Sequence, residues 1–264
     1  AEYLPLGTLP LRGRSLPDLL GATAYEKIAQ ALDVSELITI RGGTDVMRTT
    51  DKMSSPRLPG ALSGGHGAPE PTTGDLDGAR SKLLECGYPD GFEIRMAYVN
   101  LGVGQSTYES VQRSLSRIGI VVDPVKYATF SEYFSAGVGA PSTVHDKQIG
   151  IVAASWSPEG TSPLSFWGPI ADGRKVKTRA NVNYPEFQDD TVKHLLDELE
   201  LGNPDIARLS EAIDGAVMAS GYYVPFAVEQ MVLYRGPQLA NAYVQWALGA
   251  HYDIVNMGVN RSDS

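Results

Sequence analysis

The chain has 264 residues, of which 42% are hydrophobic and 20% charged, with 28 glycines, 17 prolines and a formal net charge of −9. That length suits one large or two small domains, and the composition is that of an ordinary globular protein. The acidic balance excludes non-specific nucleic-acid binding, which needs a basic surface, and disfavours adsorption to anionic membranes.

The opening "EYLPLGTLPL" reads as a strand with a proline-broken edge. In "DLLGATAYEKIAQALDVSELI", Leu19, Ala24, Ile28, Ala31 and Leu32 recur at helical spacing and predict one helix. Residues 56–73 are loop, and His66 sits there among glycines as a solvated side chain. "TGDLDGARSKLLECG" is a helix with Asp75 or Thr73 as N-cap and Gly87 as its stop. Cys86, near that end, is the one cysteine, so no internal disulfide forms; it reads as a buried, inert thiol.

The middle of the chain alternates strand and helix. "GFEIRMAYV" alternates apolar and polar residues as a strand does. "STYESVQRSLSRIG" is an amphipathic helix stopping at Gly119, and "IVVDPVKYA" is the next strand. "TFSEYFSAG" is a short helix with a capping box of Thr129 and Glu132. "KQIGIVAASW" is largely apolar and so predicts a strand central in its sheet. This order argues for a right-handed α/β layer. Two helices follow. "DDTVKHLLDELEL" stops at Gly202, and "NPDIARLSEAIDGAVMAS" starts from an Asn203 cap with Pro204 at its first position. "YYVPFAVEQMVLYRG" reads as extended, and the tail "YDIVNMGV" as a last strand. There is no internal repeat, no apolar run long enough to span a membrane and no visible signal peptide in "AEYLPLG".

Catalytic patterns are sparse. "GVGQS", from Gly102 to Ser106, follows a strand and opens a helix, and Asp123 ends the next strand, which mimics a dinucleotide-binding turn. Thr107 stands where the third glycine belongs, so a plain strand-to-helix turn is the simpler account. No G-x-S-x-G occurs, and His66, His145, His194 and His251 are scattered. His194 falls on a helix as a surface residue. No H-x-x-x-H or C-x-x-C offers a metal site. In "PEFQDD", two of Glu186, Asp189 and Asp190 fall in a helix's first turn, where they complement the macrodipole. No catalytic residue, metal site or cofactor is predicted.

One stretch stands out. "ASWSPEGTSPLSFWGP", residues 154–169, has the composition of a loop yet holds two of the chain's three tryptophans, Trp156 and Trp167, with Glu159 between them. It follows directly after a predicted central strand, and ligands in open α/β sheets bind beyond the carboxyl ends of strands. A carboxylate flanked by aromatic rings suits an ammonium group. Tryptophans that merely pack a loop onto the core account for the composition equally well.

Several stretches in order resemble the extracellular solute-binding proteins of ABC transporters, of the dipeptide- and oligopeptide-binding type. They are "GDLDGARSKLLECGYPDGFEIRMAY", "VQRSLSRIGIVVDPVKYATFSEYF", "NYPEFQDDTVKHLLDEL", "AYEKIAQALD", "YYVPFAVEQMVLYRG" and "YDIVNMGV". The chain departs from that family's pattern at Tyr25 and Glu26, where the family has Arg-Gln. It departs again at Glu159, in place of an aspartate, and at Gly160, in place of an aromatic. In peptide-binding members that acid pairs with the ligand's α-amino group.

The resemblance covers only the second half of these two-lobed proteins. It implies an α/β fold, an open mixed sheet with flanking helices forming one lobe of a periplasmic-binding-protein-like (type II) fold. Residues 1–264 would form that single lobe, with 1–15 and 225–264 as strands crossing to a missing N-terminal lobe. The implied role is capture of a peptide or other cationic small solute by cleft closure, and its delivery to an ABC permease outside the cell, at its surface or in the periplasm. Ser155 and Ser157 would offer backbone groups, Trp156 and Trp167 apolar walls, and Glu159 the cation partner. The rival readings are a stand-alone interaction or sensor domain, either a clean monomer or a dimer of fixed geometry with a second copy, and a nucleotide-dependent enzyme using Gly102 and Gly104.

Overall fold

Three segments of the middle of the chain line up in parallel, each reached through a helix. The computed structural model describes residues 2–4, 28–41, 47–50, 52–53, 72–158, 160, 162–229, 233–245 and 251–260. The opening strand past residue 4, the first part of the early helix, most of the 56–73 loop with His66, and Glu159 lie outside the described residues.

The parallel sheet is built from β3 (Glu93–Val99), β4 (Val121–Tyr127) and β5 (Ile149–Val152), in the order β4-β3-β5. Strands β3 and β4 pair without a break from Glu93↔Val121 to Val99↔Tyr127. Pro124, which has no N–H to donate, is tolerated because β4 is an edge strand. The second half of β3 is buried on both faces, so the expected alternation holds only at its start. Ile94, Met96 and Tyr98 face one core cluster, and Ala97 and Val99 another. A sheet covered on both faces is what parallel strands require. β5 is fully buried, as its apolar sequence predicts; among the described residues it pairs with β3 alone, while its continuation past Ala153 pairs with β1, so the whole segment has partners in two sheets. Burial on two faces gives an apolar run whatever the strand's place in the order.

Helix α1 (Val34–Ile40) packs with α3 (Gly104–Ser116) on one face, beside α2 (Leu76–Glu85). The early helix is not continuous. The chain turns at Gln30–Leu32, and Asp33 caps α1 by accepting from the Glu36 N–H at 2.8 Å. Asp75 caps α2 in the same way, accepting from Gly78 at 3.0 Å. The predicted stops Gly87 and Gly119 have φ of +81° and +90°. At the start of the parallel sheet, Gly91 (φ +78°) abuts Gly119: a Cβ on Gly91 would lie 2.0 Å from the Gly119 carbonyl oxygen.

A second, antiparallel sheet has the order β2-β7-β1-β6, from β1 (Glu2–Leu4), β2 (Met47–Thr49), β6 (Ala154–Ser155) and β7 (Val224–Glu229). The mixed sheet is therefore laid out as two hydrogen-bonded sheets. Strands β5 and β6 are one extended segment interrupted at Ala153, where the chain passes from the first sheet to the second. Helix α4 (Phe130–Glu132), capped by Thr129 as predicted, runs into a π-helical turn at Tyr133–Gly137, and α5 (Pro141–Asp146) precedes β5.

The third core cluster joins α6 (Pro163–Ala171), α7 (Asp190–Glu200) and α8 (Ile206–Ala219). Helix α6 corrects the loop reading of residues 154–169. Pro163 occupies the first helical position, and Phe166, Trp167 and Ile170 then supply a helical apolar face. Asn203 does not cap α8 directly. Its side chain accepts from the Asp205 N–H at 2.9 Å and sets the turn before the helix.

The tail is not one strand. Residues Leu239–Ala240 (β8) pair with Gly258–Val259 (β11), and Val244–Gln245 (β9) with His251–Tyr252 (β10), as nested antiparallel ladders.

Candidate functional site

Parallel strands bring their carboxyl ends to one side of the sheet. Three loops leave that side: residues 100–103 after β3, 128–129 after β4, and the segment from Ala153 after β5. The Asn100 N–H donates to the Tyr127 carbonyl at 2.8 Å and holds the first two loops together. The Tyr133 hydroxyl, 1% exposed with its residue, ties strand β3 to the third loop: it donates to the Ala153 carbonyl at 2.8 Å and lies 3.2 Å from that of Ala97. Burial pushes the Tyr133 hydroxyl's pKa well above its usual range, so it remains a donor.

The tryptophan segment begins as edge strand β6 and ends as α6. Ser155 and Ser157 are exposed, and Ser155 pairs in register with Glu2. Trp156 is half-buried. Its ring packs against the α6–α7–α8 cluster, and its Nε1–H donates to the Phe166 carbonyl at 2.9 Å. Pro158 is buried. Trp167 is fully buried in the core, its Nε1–H 3.3 Å from the Ser210 hydroxyl, with its ring edge-on to Phe166. The structure thus brings Ser155, Trp156 and Ser157 together at the sheet edge and takes Trp167 inward. Periodicity within "PLSFWGPIA" was the signal that Trp167 belongs to a helix core, and the surrounding Gly, Pro and Ser masked it.

The region behind this segment is anchored by buried amide groups. Asn183 is 0% exposed. Its side chain accepts from the Phe187 N–H at 2.8 Å and donates to the Phe187 carbonyl at 2.9 Å. Tyr223, also buried, donates to the Ile170 carbonyl at 2.5 Å and lies 3.3 Å from the Asn183 side-chain oxygen.

The remaining sequence candidates resolve as structural parts. Thr107 is buried, and its hydroxyl donates to the Val103 carbonyl. A Cβ at Gly104 would lie 2.0 Å from the Val99 carbonyl oxygen, so that glycine lets α3 leave β3 closely. Asp189 caps α7 through the Val192 N–H at 2.8 Å. His145 meets Glu186 at 2.5 Å on the surface, while His194 and His251 are exposed. Cys86 is only partly buried, and burial raises its pKa, so it stays a thiol. Among the described residues no cluster of His, Cys, Asp and Glu could hold a metal ion, and no helix is long and apolar enough to cross a membrane.

Sequence reasoning missed three apolar side chains at the strand ends: Leu101 (56% exposed), Val103 (41%) and Phe130 (53%). No periodicity marks them, because each sits in or beside a loop.

No family model and no curated protein matches the chain by sequence. Solved structures do. The clavulanic acid biosynthesis oligopeptide binding protein 2 matches with a TM-score of 0.82 and 27% identity, over 98% of this chain and 46% of its own. A dipeptide binding protein from Pseudoalteromonas sp. SM9913 in complex with Met-Leu matches at 0.69 and 15% identity, over 98% of this chain and 48% of its own. The ABC transporter-associated periplasmic binding protein DppA from Helicobacter pylori, in complex with the peptide STSA, matches at 0.68 and 18% identity, over 86% and 41%. The chain spans about half the length of the structures it matches. Its fold is that of a periplasmic-binding-protein-like lobe, and these neighbours are substrate-binding proteins, not enzymes.

Proposed function

We propose that this chain is one lobe of a solute-binding protein that takes a peptide-like solute at the loops beyond β3, β4 and β5 and presents it to an ABC permease outside the cell or in the periplasm. The observation that supports this most strongly is the match over 98% of the chain to an oligopeptide binding protein at 27% identity. In this reading Trp156 is an apolar wall, Ser155 on β6 and Ser157 just beyond it offer backbone groups, and Glu159 receives the ligand's ammonium. Trp167 supports the wall from the core. The complementary lobe covers these loops when the cleft closes, and the strands around β1 and β7 lead towards it.

Titration of the native protein with free-amine dipeptides, followed by tryptophan fluorescence and calorimetry, tests this. Binding that falls at least tenfold in Glu159→Gln is expected. Unchanged affinity in that variant removes the role of Glu159. An intact mass of the native product about twice that of this chain supports the lobe reading. A mass equal to this chain, with a clean monomer or a dimer of fixed geometry, favours the stand-alone interaction domain instead.

A further inference from the structure

The tryptophan segment is held at two points. At one end the Trp156 Nε1–H donates to the Phe166 carbonyl at 2.9 Å. At the other the Ala153 carbonyl, where the chain leaves the parallel sheet between β5 and β6, accepts from the Tyr133 hydroxyl at 2.8 Å. Ser155 lies between these anchors, in register with Glu2, and Ser157 lies just beyond them. Tyr133 is itself braced. It opens the π-helical turn Tyr133–Gly137, its own carbonyl accepts from the Val138 N–H at 2.8 Å, and its ring stands edge-on to Tyr127 with centroids 5.5 Å apart. Gly137 lets the turn lie against Tyr127, where a Cβ would come 2.7 Å from a ring carbon. Single π-helical turns are frequent at functional sites.

We infer that Tyr133 is a positioning residue for solute binding: its hydroxyl sets the direction in which Ser155 and Trp156 leave the parallel sheet, and so the affinity of the site. The inference rests on the reading above, in which Ser155 and Trp156 meet the solute. Tyr133 is 1% exposed, so it acts through Ala153 and not by touching the solute. Without its donor the partly buried Ala153 carbonyl is left unsatisfied, and its peptide turns towards another partner or water. Trp156 stands three residues on, about 10 Å along an extended chain. A turn of about 10° at Ala153 therefore carries that end of the segment by about 2 Å, whereas binding groups need placing to within about 0.5 Å. The Phe166 anchor resists the displacement at Trp156, so it falls most on Ser155.

The test measures leucyl-leucine binding by calorimetry on the full native protein, at a temperature where every variant is folded. Tyr133→Phe keeps the ring and should bind about three- to tenfold more weakly than the parent. 4-Aminophenylalanine in place of Tyr133 restores an N–H donor and should return the affinity to within about twofold. Ile118→Ala, in the core on the other face of the parallel sheet, should lower the thermal midpoint at least as far as Tyr133→Phe and leave affinity unchanged. Equal affinity in Tyr133→Phe and the parent overturns the inference and leaves the solute-binding reading standing. So does an Ile118→Ala protein that binds as weakly as Tyr133→Phe, because affinity then follows stability alone. A loss that the amine does not recover takes the effect away from the donated bond and overturns the inference too. A parent that binds neither leucyl-leucine nor other free-amine dipeptides overturns the solute-binding reading, and this inference with it.

Discussion

The Tyr133 hydroxyl donates to the Ala153 carbonyl at 2.8 Å, at the one residue that separates β5 from β6. The same hydroxyl lies 3.2 Å from the Ala97 carbonyl of β3. One phenol therefore fixes the angle at which the tryptophan segment leaves the parallel sheet. Tyr133→Phe keeps the ring and strands these carbonyls in an apolar setting. A loss of about 1–3 kcal/mol is expected, read as a lower urea midpoint with an unchanged slope.

Trp156 is tied to α6 through the Phe166 carbonyl. Trp156→Phe preserves an apolar ring but removes the donor. It should cost about 0.5–1.5 kcal/mol of stability and weaken dipeptide binding less than Trp156→Ala does. Equal affinity in all three proteins would show that the ring takes no part in the site.

Two glycines should respond in opposite senses to alanine. Gly215 lies in the interior of α8, and its added Cβ meets nothing within 4 Å. Gly215→Ala should stabilise by about 0.5–1 kcal/mol, since alanine restricts the unfolded chain and favours the helix. At Gly139 the Cβ would lie 1.8 Å from the Phe134 carbonyl oxygen. Gly139→Ala should destabilise by about 1–3 kcal/mol as the turn is forced open. Thermal melts of the two variants beside the parent decide both.

Acid should attack the α6–α7 junction. Asp172 is 2% exposed; burial pushes its carboxyl up, but hydrogen bonds accepted from the Arg174 side chain and backbone N–H outweigh that and hold it below the usual carboxylate range. A depressed pKa in the folded state stabilises above the unfolded value, about 4, and the gain is lost as pH falls through the folded value. Stability measured from pH 6 down to pH 2 should therefore decline less steeply in Asp172→Asn than in the parent, and the variant should be less stable at pH 7.

Local signals carried much of the fold. The alternating "GFEIRMAYV", the caps Asp75 and Thr129, and the stops Gly87 and Gly119 each act through nearest neighbours and could be read directly. Strand pairing could not: the apolar run at β5 reports burial on both faces, and only the ladders show that the segment pairs with β3 before Ala153 and with β1 after it. The site was half legible. Trp156 was visible as an aromatic in the wrong place, while Trp167 was hidden in a helix that proline and serine disguise. Leu101, Val103 and Phe130 left no trace, since exposure at a strand end depends on which loops the topology brings together.

The contact between Gly91 and Gly119 carries an evolutionary consequence. Each occupies a backbone conformation that favours glycine, and a side chain at either would strike the other's strand: a Cβ at Gly119 would lie 2.9 Å from the Asp90 carbonyl oxygen. The two positions are thus one constraint written twice, at the starts of β3 and β4. In homologues they should be lost together or kept together, and a lineage that replaces only one must also have moved the entry of the other strand.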